Sequence, residues 1–119
     1  GSKIKHTIKN NGDHLLFTFS GKYDFNESIE LIHSVKSECL TKNVYKVLLD
    51  ARPAENQLLS DLNRFNLGVE IGQVLNSKIQ TAVLDNGDDT NHLLELSALN
   101  RSAFIKVSPN RQELLNWLS

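Results

Sequence analysis

Lys3, Lys5 and Lys9 alternate with Ile4, His6 and Ile8, a period-two pattern that predicts an edge strand with one charged side. Asn11-Gly12 follows, a two-residue hairpin signal because both residue types tolerate positive φ. The returning strand, residues 14–20, sets Leu15, Phe17 and Phe19 on one face and Leu16, Thr18 and Ser20 on the other. The period then changes. Asp24 and Glu27 are spaced as a capping box, and Phe25, Ile29, Ile32, Val35 and Cys39 fall on one helical stripe. A short apolar strand over residues 44–49 ends at Asp50, and Arg52-Pro53 breaks it ahead of a polar loop. A second helix starts near Ser60, with Leu62, Phe65, Val69 and Gly72 on one side. Gly68 and Gly72 both lower its propensity, which a close approach to a neighbouring element would explain. Residues 79–84 read as a strand, 85–89 as a loop, 91–101 as a helix and 103–107 as the last strand. Ser108-Pro109-Asn110 leads into a terminal helix carrying Leu114, Trp117 and Leu118.

The predicted order is ββαβαβαβα. An N-terminal hairpin followed by alternating helices and strands predicts an α/β fold with a mixed five-stranded sheet and about four helices. Val47, Leu49, Ile105 and Val107 share a face with Phe17 and Phe19, while Thr18, Ser20, Lys46 and Lys106 share the other. Such alternation predicts helices mainly on one face and a partly wet second face, since strands buried on both sides read as continuous apolar runs.

Composition narrows the classes. The chain has 119 residues, room for one domain, and Gly1-Ser2 reads as an expression scar, leaving residues 3–119 as that domain. Net charge is -1 with no dense Lys/Arg run, which disfavours nucleic acid as a partner. No apolar run is long enough for a membrane span. A lone cysteine, Cys39, makes no internal disulfide and suits a cytoplasmic location; its place on the helix stripe favours core over nucleophile. No GxGxxG, GxxxxGK[ST] or GxSxG motif is present, so no cofactor and no catalytic residue is assigned. Asp88, Asp89, His92 and Glu95 have the residue types of metal ligands, but no histidine or cysteine pair has ligand spacing, and no metal is expected.

The hairpin, the Gly21-Lys22-Tyr23-Asp24 turn into a helix, and the strand ending at Asp50 together resemble STAS domains. Arg64-Phe65-x-Leu67-Gly68, Glu95-x-x-Ala98-x-Asn100-Arg101 and the final Trp117-Leu118 are similar to the SpoIIAA-like branch of small bacterial proteins, related to anti-sigma-factor antagonists. Ser102 stands where a glycine often follows Asn-Arg in such proteins. The resemblance implies a non-catalytic signalling module that binds a protein partner or a small apolar ligand. In the sporulation-regulator branch a serine opening the second helix is phosphorylated within an Asp-Ser-Ser-Gly-like segment; this chain has Leu59-Ser60-Asp61 near that place and lacks the segment.

Each candidate binding residue has a local and a functional reading. Ser60 is an N-cap, or a phosphorylation site at the positive end of a helix dipole. Asp50, Arg52 and Arg64 form turn bonds and ion pairs, or an anion-binding rim at a strand end. Glu95 pairs with Arg64 or supports a binding rim; Asn100 and Arg101 suit a helix C-terminus or extend that rim. The expected function is a regulatory, protein-binding module without catalysis. A small apolar ligand or lipid is the alternative, marked by a cavity lined by Leu62, Phe65 and Leu93; a flat exposed rim around Ser60 would mark a protein partner.

Overall fold

A computed structural model describes residues 5–22, 24–55, 59–87 and 92–119. The expected strand start at Ile4, the turn residue Tyr23, the helix start near Asn91 and the loop residues Asp88 and Asp89 lie outside them. Strands β1 (Lys5–Asn10) and β2 (Leu15–Lys22) form the antiparallel hairpin, with Ile8 opposite Phe17. Its connection is longer than the two residues expected. Asn10 pairs with Leu15, and only Gly12 takes positive φ, at 93°. Local side-chain bonds choose the longer loop: Asn10 Oδ1 accepts the Gly12 N–H at 2.9 Å, and the Asn11 N–H donates to the His14 carbonyl at 3.0 Å.

Helix α1 (Phe25–Lys42) opens with the predicted capping box. The Glu27 N–H donates to Asp24 Oδ1 at 2.9 Å, and the Asp24 N–H donates to Glu27 Oε1 at 3.3 Å. Its buried residues are Ser28, Ile32, Val35 and Cys39, with Phe25 and Ile29 half-buried at the same seam. Burial and the neighbouring Glu38 charge push the Cys39 thiol up to about 11, so it is an unreactive core group at neutral pH. Strand β3 (Lys46–Asp50) runs parallel to β2, and a two-residue strand β4 (Ala54–Glu55), absent from the sequence expectation, pairs with the far end of β2. Helix α2 (Asp61–Val74), strand β5 (Gln80–Leu84), helix α3 (His92–Asn100), strand β6 (Ile105–Ser108) and helix α4 (Arg111–Leu118) follow. The main sheet has the order β1-β2-β3-β5-β6, antiparallel only at its first pair.

Register explains the two faces. Phe17, Leu49, Val83 and Val107 align across four strands, as do Leu15, Val47, Thr81 and Ile105. Both rows face the layer made by α1, α2 and α3, where the larger core lies. The intervening row of Leu16, Leu48 and Ala82 faces α4, whose Leu114 and Leu118 form a second, smaller core with Leu84. Thr18 and Ser20, farther from α4, stay half-buried. Trp117 belongs to this side and is half-buried rather than central: its ring packs edge-on against exposed Phe104 at 5.2 Å.

The outward face of α2 differs from the expected one. Leu62 is 68% exposed and Phe65 40%, whereas Leu67, Gly68, Ile71 and Gly72 are buried. Apolar residues ring most of this helix, so periodicity alone does not choose between stripes. Close packing does. A Cβ at Gly68 would lie 1.8 Å from Ser97 Oγ and 2.3 Å from the Leu94 carbonyl; one at Gly72 would lie 2.3 Å from Arg101 Cβ. Only glycines let α2 and α3 approach so closely. The Ser97 hydroxyl joins the helices by donating to the Phe65 carbonyl at 2.9 Å.

Helix α3 ends in a Schellman arrangement. The Ser102 N–H donates to the Leu99 carbonyl and the Ala103 N–H to the Ala98 carbonyl, both at 3.0 Å. Ser102 sits at φ 66°, the left-handed region that a Cβ disfavours. The glycine missing after Asn100-Arg101 is therefore missing where the backbone needs one. Ser102→Gly is expected to raise stability by roughly 1 kcal/mol. Urea denaturation checks this, and a lowered midpoint at an unchanged slope would refute it.

Candidate functional site

The candidate residues separate into distinct structures. At the C-terminal end of β3, buried Asp50 forms a two-pronged ion pair with Arg52. Arg52 Nε donates to Asp50 Oδ1 and Nη2 to Oδ2, each at 2.9 Å, and the Arg52 backbone N–H adds a third bond at 3.2 Å. The Arg52 carbonyl accepts the Asn86 side-chain amide at 3.0 Å, tying the loop after β3 to the loop after β5. Burial opposes ionisation of Asp50, but the Arg52 hydrogen bonds and the Arg52 and Arg111 charges outweigh it. The carboxyl is held below its usual range. Arg52 is thus already engaged by a carboxylate, the arrangement of a fastened turn.

Ser60 lies at the start of α2. Its exposed hydroxyl accepts the Asn63 N–H at 3.1 Å, and Asn63 Oδ1 accepts the Ser60 N–H at 3.3 Å. This is a reciprocal capping box with asparagine in the place usually taken by Glu or Gln. Ser60→Ala is expected to cost about 1 kcal/mol. Equal stability of parent and variant in urea denaturation would show that the cap carries no weight. Arg64, one turn later, points inward and is only 5% exposed. Among the described residues no hydrogen bond joins Asp50 or Arg52 to Ser60 or Arg64. Row parity gives the reason: Asp50 aligns with Leu84 on the α4 side of the sheet, whereas α2 covers the opposite side.

Glu95 has a role that sequence reasoning missed. Its Oε2 accepts the Val107 N–H at 2.8 Å. The Phe104 carbonyl accepts the Thr81 N–H of β5 and the Ser108 carbonyl accepts the N–H of Asp85, just after β5, so Val107, between them in the alternation, directs its N–H away from the sheet. Glu95 covers that donor on the outer edge of β6, a form of edge protection. Asn100 is the last residue of α3 and exposed; the left-handed cap belongs to Ser102. Arg101 is also exposed, but its backbone and Cβ lie against Gly72. His14 is buried, with Nδ1 2.8 Å from Asp13 Oδ1. Among the described residues no three His, Cys, Asp or Glu side chains converge as metal ligands, and no helix is long and apolar enough to cross a membrane.

Two further features stand out. Large exposed apolar side chains occur on neighbouring helices: Leu62 and Phe65 on α2, Leu96 (44%) and Leu99 (47%) on α3. Beneath α1 and α2 lies an apolar cavity of about 100 Å³. Its wall includes Leu31, Val35, Leu67, Ile71 and Leu94; Leu62, Phe65 and Leu93, the expected lining, are not part of it. The change follows from the rotation of α2, which turns Leu67 and Ile71 inward.

No protein-family model matches the chain, and no curated protein matches its sequence. Solved structures do. An anti-sigma factor antagonist from Mycobacterium paratuberculosis superposes with a TM-score of 0.66 at 13% identity, covering 98% of this chain and 94% of that one. An uncharacterized protein of the DUF3478 family from Shewanella loihica, with a SpoIIAA-like fold, gives 0.58 at 16% identity over 98% and 94%. The anti-sigma factor antagonist SpoIIAA in its unphosphorylated form gives 0.51 at 12% identity over 96% and 97%. Near-complete coverage in both directions, with the hairpin, the parallel strands and the helices in this order, shows that the chain has a SpoIIAA-like fold.

Proposed function

We propose that this protein is a bacterial, cytoplasmic regulatory module that binds a protein partner through the outer surface of α2 and α3, without catalytic turnover. The observation that carries the reading is the set of exposed apolar side chains Leu62, Phe65, Leu96 and Leu99 on two helices fixed together by Gly68 and Ser97. Single exposed leucines are ordinary; several on adjoining helices are the kind of surface that protein interfaces use. The likeness to two anti-sigma factor antagonists supports the same reading, since such proteins are named for acting on a regulatory protein. Ser60 lies at the start of the same helix with its hydroxyl exposed. A phosphate there would meet the positive end of the α2 dipole while adding charge beside an apolar surface. It would weaken an apolar or acidic partner.

The test uses the partner that the parent protein captures from its native cells, with affinity then measured on purified components. Phe65→Ser combined with Leu96→Ser is expected to cost about 2 kcal/mol or more, roughly thirtyfold in Kd. Ser60→Asp is expected to weaken binding more than Ser60→Ala. Leu40→Ser, on α1, is the exposed apolar control and should bind as the parent does. A folded Phe65→Ser/Leu96→Ser protein with parental affinity would place the interface elsewhere.

A further inference from the structure

We infer that Asn11-Gly12, in the loop between β1 and β2, is a self-modifying site at which His14 promotes conversion of Asn11 to aspartate or isoaspartate. Asparagine amides are chemically labile, and a following glycine, having no Cβ, leaves its backbone nitrogen open for attack on the side-chain carbonyl. The chain carries this dipeptide twice, at Asn11-Gly12 and Asn86-Gly87. Both pairs are exposed, and both glycines take positive φ, 93° and 83°. What differs is the chemistry around the two amides.

Asn11 Nδ2, the leaving nitrogen, stands 3.5 Å from His14 Nε2. On the other side of the ring, Nδ1 is 2.8 Å from Asp13 Oδ1. A carboxylate only accepts, so the proton of the neutral ring sits on Nδ1 and Nε2 faces the Asn11 amide. Carboxylate, imidazole and reacting group thus stand in the order in which a carboxylate orients a ring and stabilises its imidazolium form. The reaction needs only water. The Gly12 nitrogen loses its proton to solvent and bonds to Asn11 Cγ. His14, protonated from solvent, gives its Nε2 proton to Nδ2; the Cγ–Nδ2 bond breaks and ammonia leaves. Water then opens the cyclic imide at either carbonyl carbon. The imidazole is regenerated, one amide has become a carboxylate, and each molecule reacts once.

At Asn86 the same nitrogen donates to the Arg52 carbonyl at 3.0 Å, a group with no proton to give. The Gly87 N–H donates to Asp85 Oδ1 at 3.1 Å, and a carboxylate there opposes loss of that proton. The Gly12 N–H donates instead to a neutral amide oxygen, Asn10 Oδ1, at 2.9 Å.

The experiment ages the purified protein in neutral buffer and follows both dipeptides by peptide mapping and isoaspartate content. Asn11 is expected to convert about tenfold faster than Asn86, at the low side of what a positioned acid contributes. In urea Asn11 should slow and Asn86 should quicken, because unfolding takes the imidazole from one and the Arg52 carbonyl and Asp85 carboxylate from the other. His14→Gln is expected to slow Asn11 about tenfold and leave Asn86 unchanged. Asp13, a positioning residue, should act in the same sense: Asp13→Ala slows Asn11, and Asp13→Glu restores most of the rate. Equal rates at the two sites in the folded protein would overturn the inference, as would rates that rise together in urea. A folded His14→Gln protein with the parental Asn11 rate, or no difference between Asp13→Ala and Asp13→Glu, would overturn it too. Should His14→Gln fail to fold, the Asp13 variants and the urea comparison on the parent still decide.

Discussion

Gly68→Ala is expected to destabilise the protein by about 1–3 kcal/mol, although alanine is the better helix former by about 1 kcal/mol. The new Cβ would meet Ser97 Oγ at 1.8 Å and the Leu94 carbonyl oxygen at 2.3 Å. A side chain can rotate away; the Leu94 backbone cannot move without shifting α3. The double variant Gly68→Ala/Ser97→Ala is therefore expected to recover only part of the loss. It removes the clash with the hydroxyl but also the bond to the Phe65 carbonyl, and it leaves the Leu94 contact in place. Gly72→Ala is expected to act in the same direction, through Arg101 Cβ at 2.3 Å. Urea denaturation midpoints decide the matter. If Gly68→Ala stabilises the protein, helix propensity governs this position and the described approach of α2 to α3 is wrong.

Asp50→Asn is expected to cost about 1–3 kcal/mol at pH 7, from loss of charged hydrogen bonds at a buried carboxylate. The pH dependence follows from its depressed folded-state value. A carboxyl that ionises more readily when folded adds stability fully present above its unfolded value, here 3.8, and lost as pH falls through the lower folded value. The parent and Asp50→Asn should therefore differ most near neutrality and converge in acid, as pH falls below 3.8 and through the lower folded value. Asp13, also held low by its bond to His14, is common to both proteins and cancels in the difference. Measuring stability by urea at neutral and acidic pH tests this. A gap of constant size across that range would mean that packing, rather than the charge on Asp50, sustains the turn.

These two positions show where local sequence information ends. The α1 cap was legible because a capping box is a contact between residues three apart, Asp24 and Glu27, and needs no tertiary partner. Ser60 was legible as an N-cap for the same reason. The Asp50–Arg52 pair spans two residues and was equally open to a local reading. Arg64 was not. Its place on the buried side of α2 depends on which of two apolar stripes meets the sheet. Glu95 was less legible still, since its partner is a backbone N–H twelve residues away, invisible to any side-chain motif.

By itself the sequence determined the order of strands and helices, the alternating faces of the sheet and the need for a close approach at Gly68 and Gly72. Periodicity, capping and missing side chains are properties of short stretches, and they act before distant parts of the chain meet. The tertiary structure alone decided the outward face of α2, the cover that Glu95 gives β6, the separation of Asp50 from Ser60 across the sheet and the lining of the cavity. Each of these depends on which surfaces pack together. A helix with apolar residues nearly all round, such as α2, takes its orientation from its neighbours: the sheet fixed Leu67 and Ile71 inward, and α3, reaching the backbone at Gly68, left Leu62 and Phe65 to the solvent.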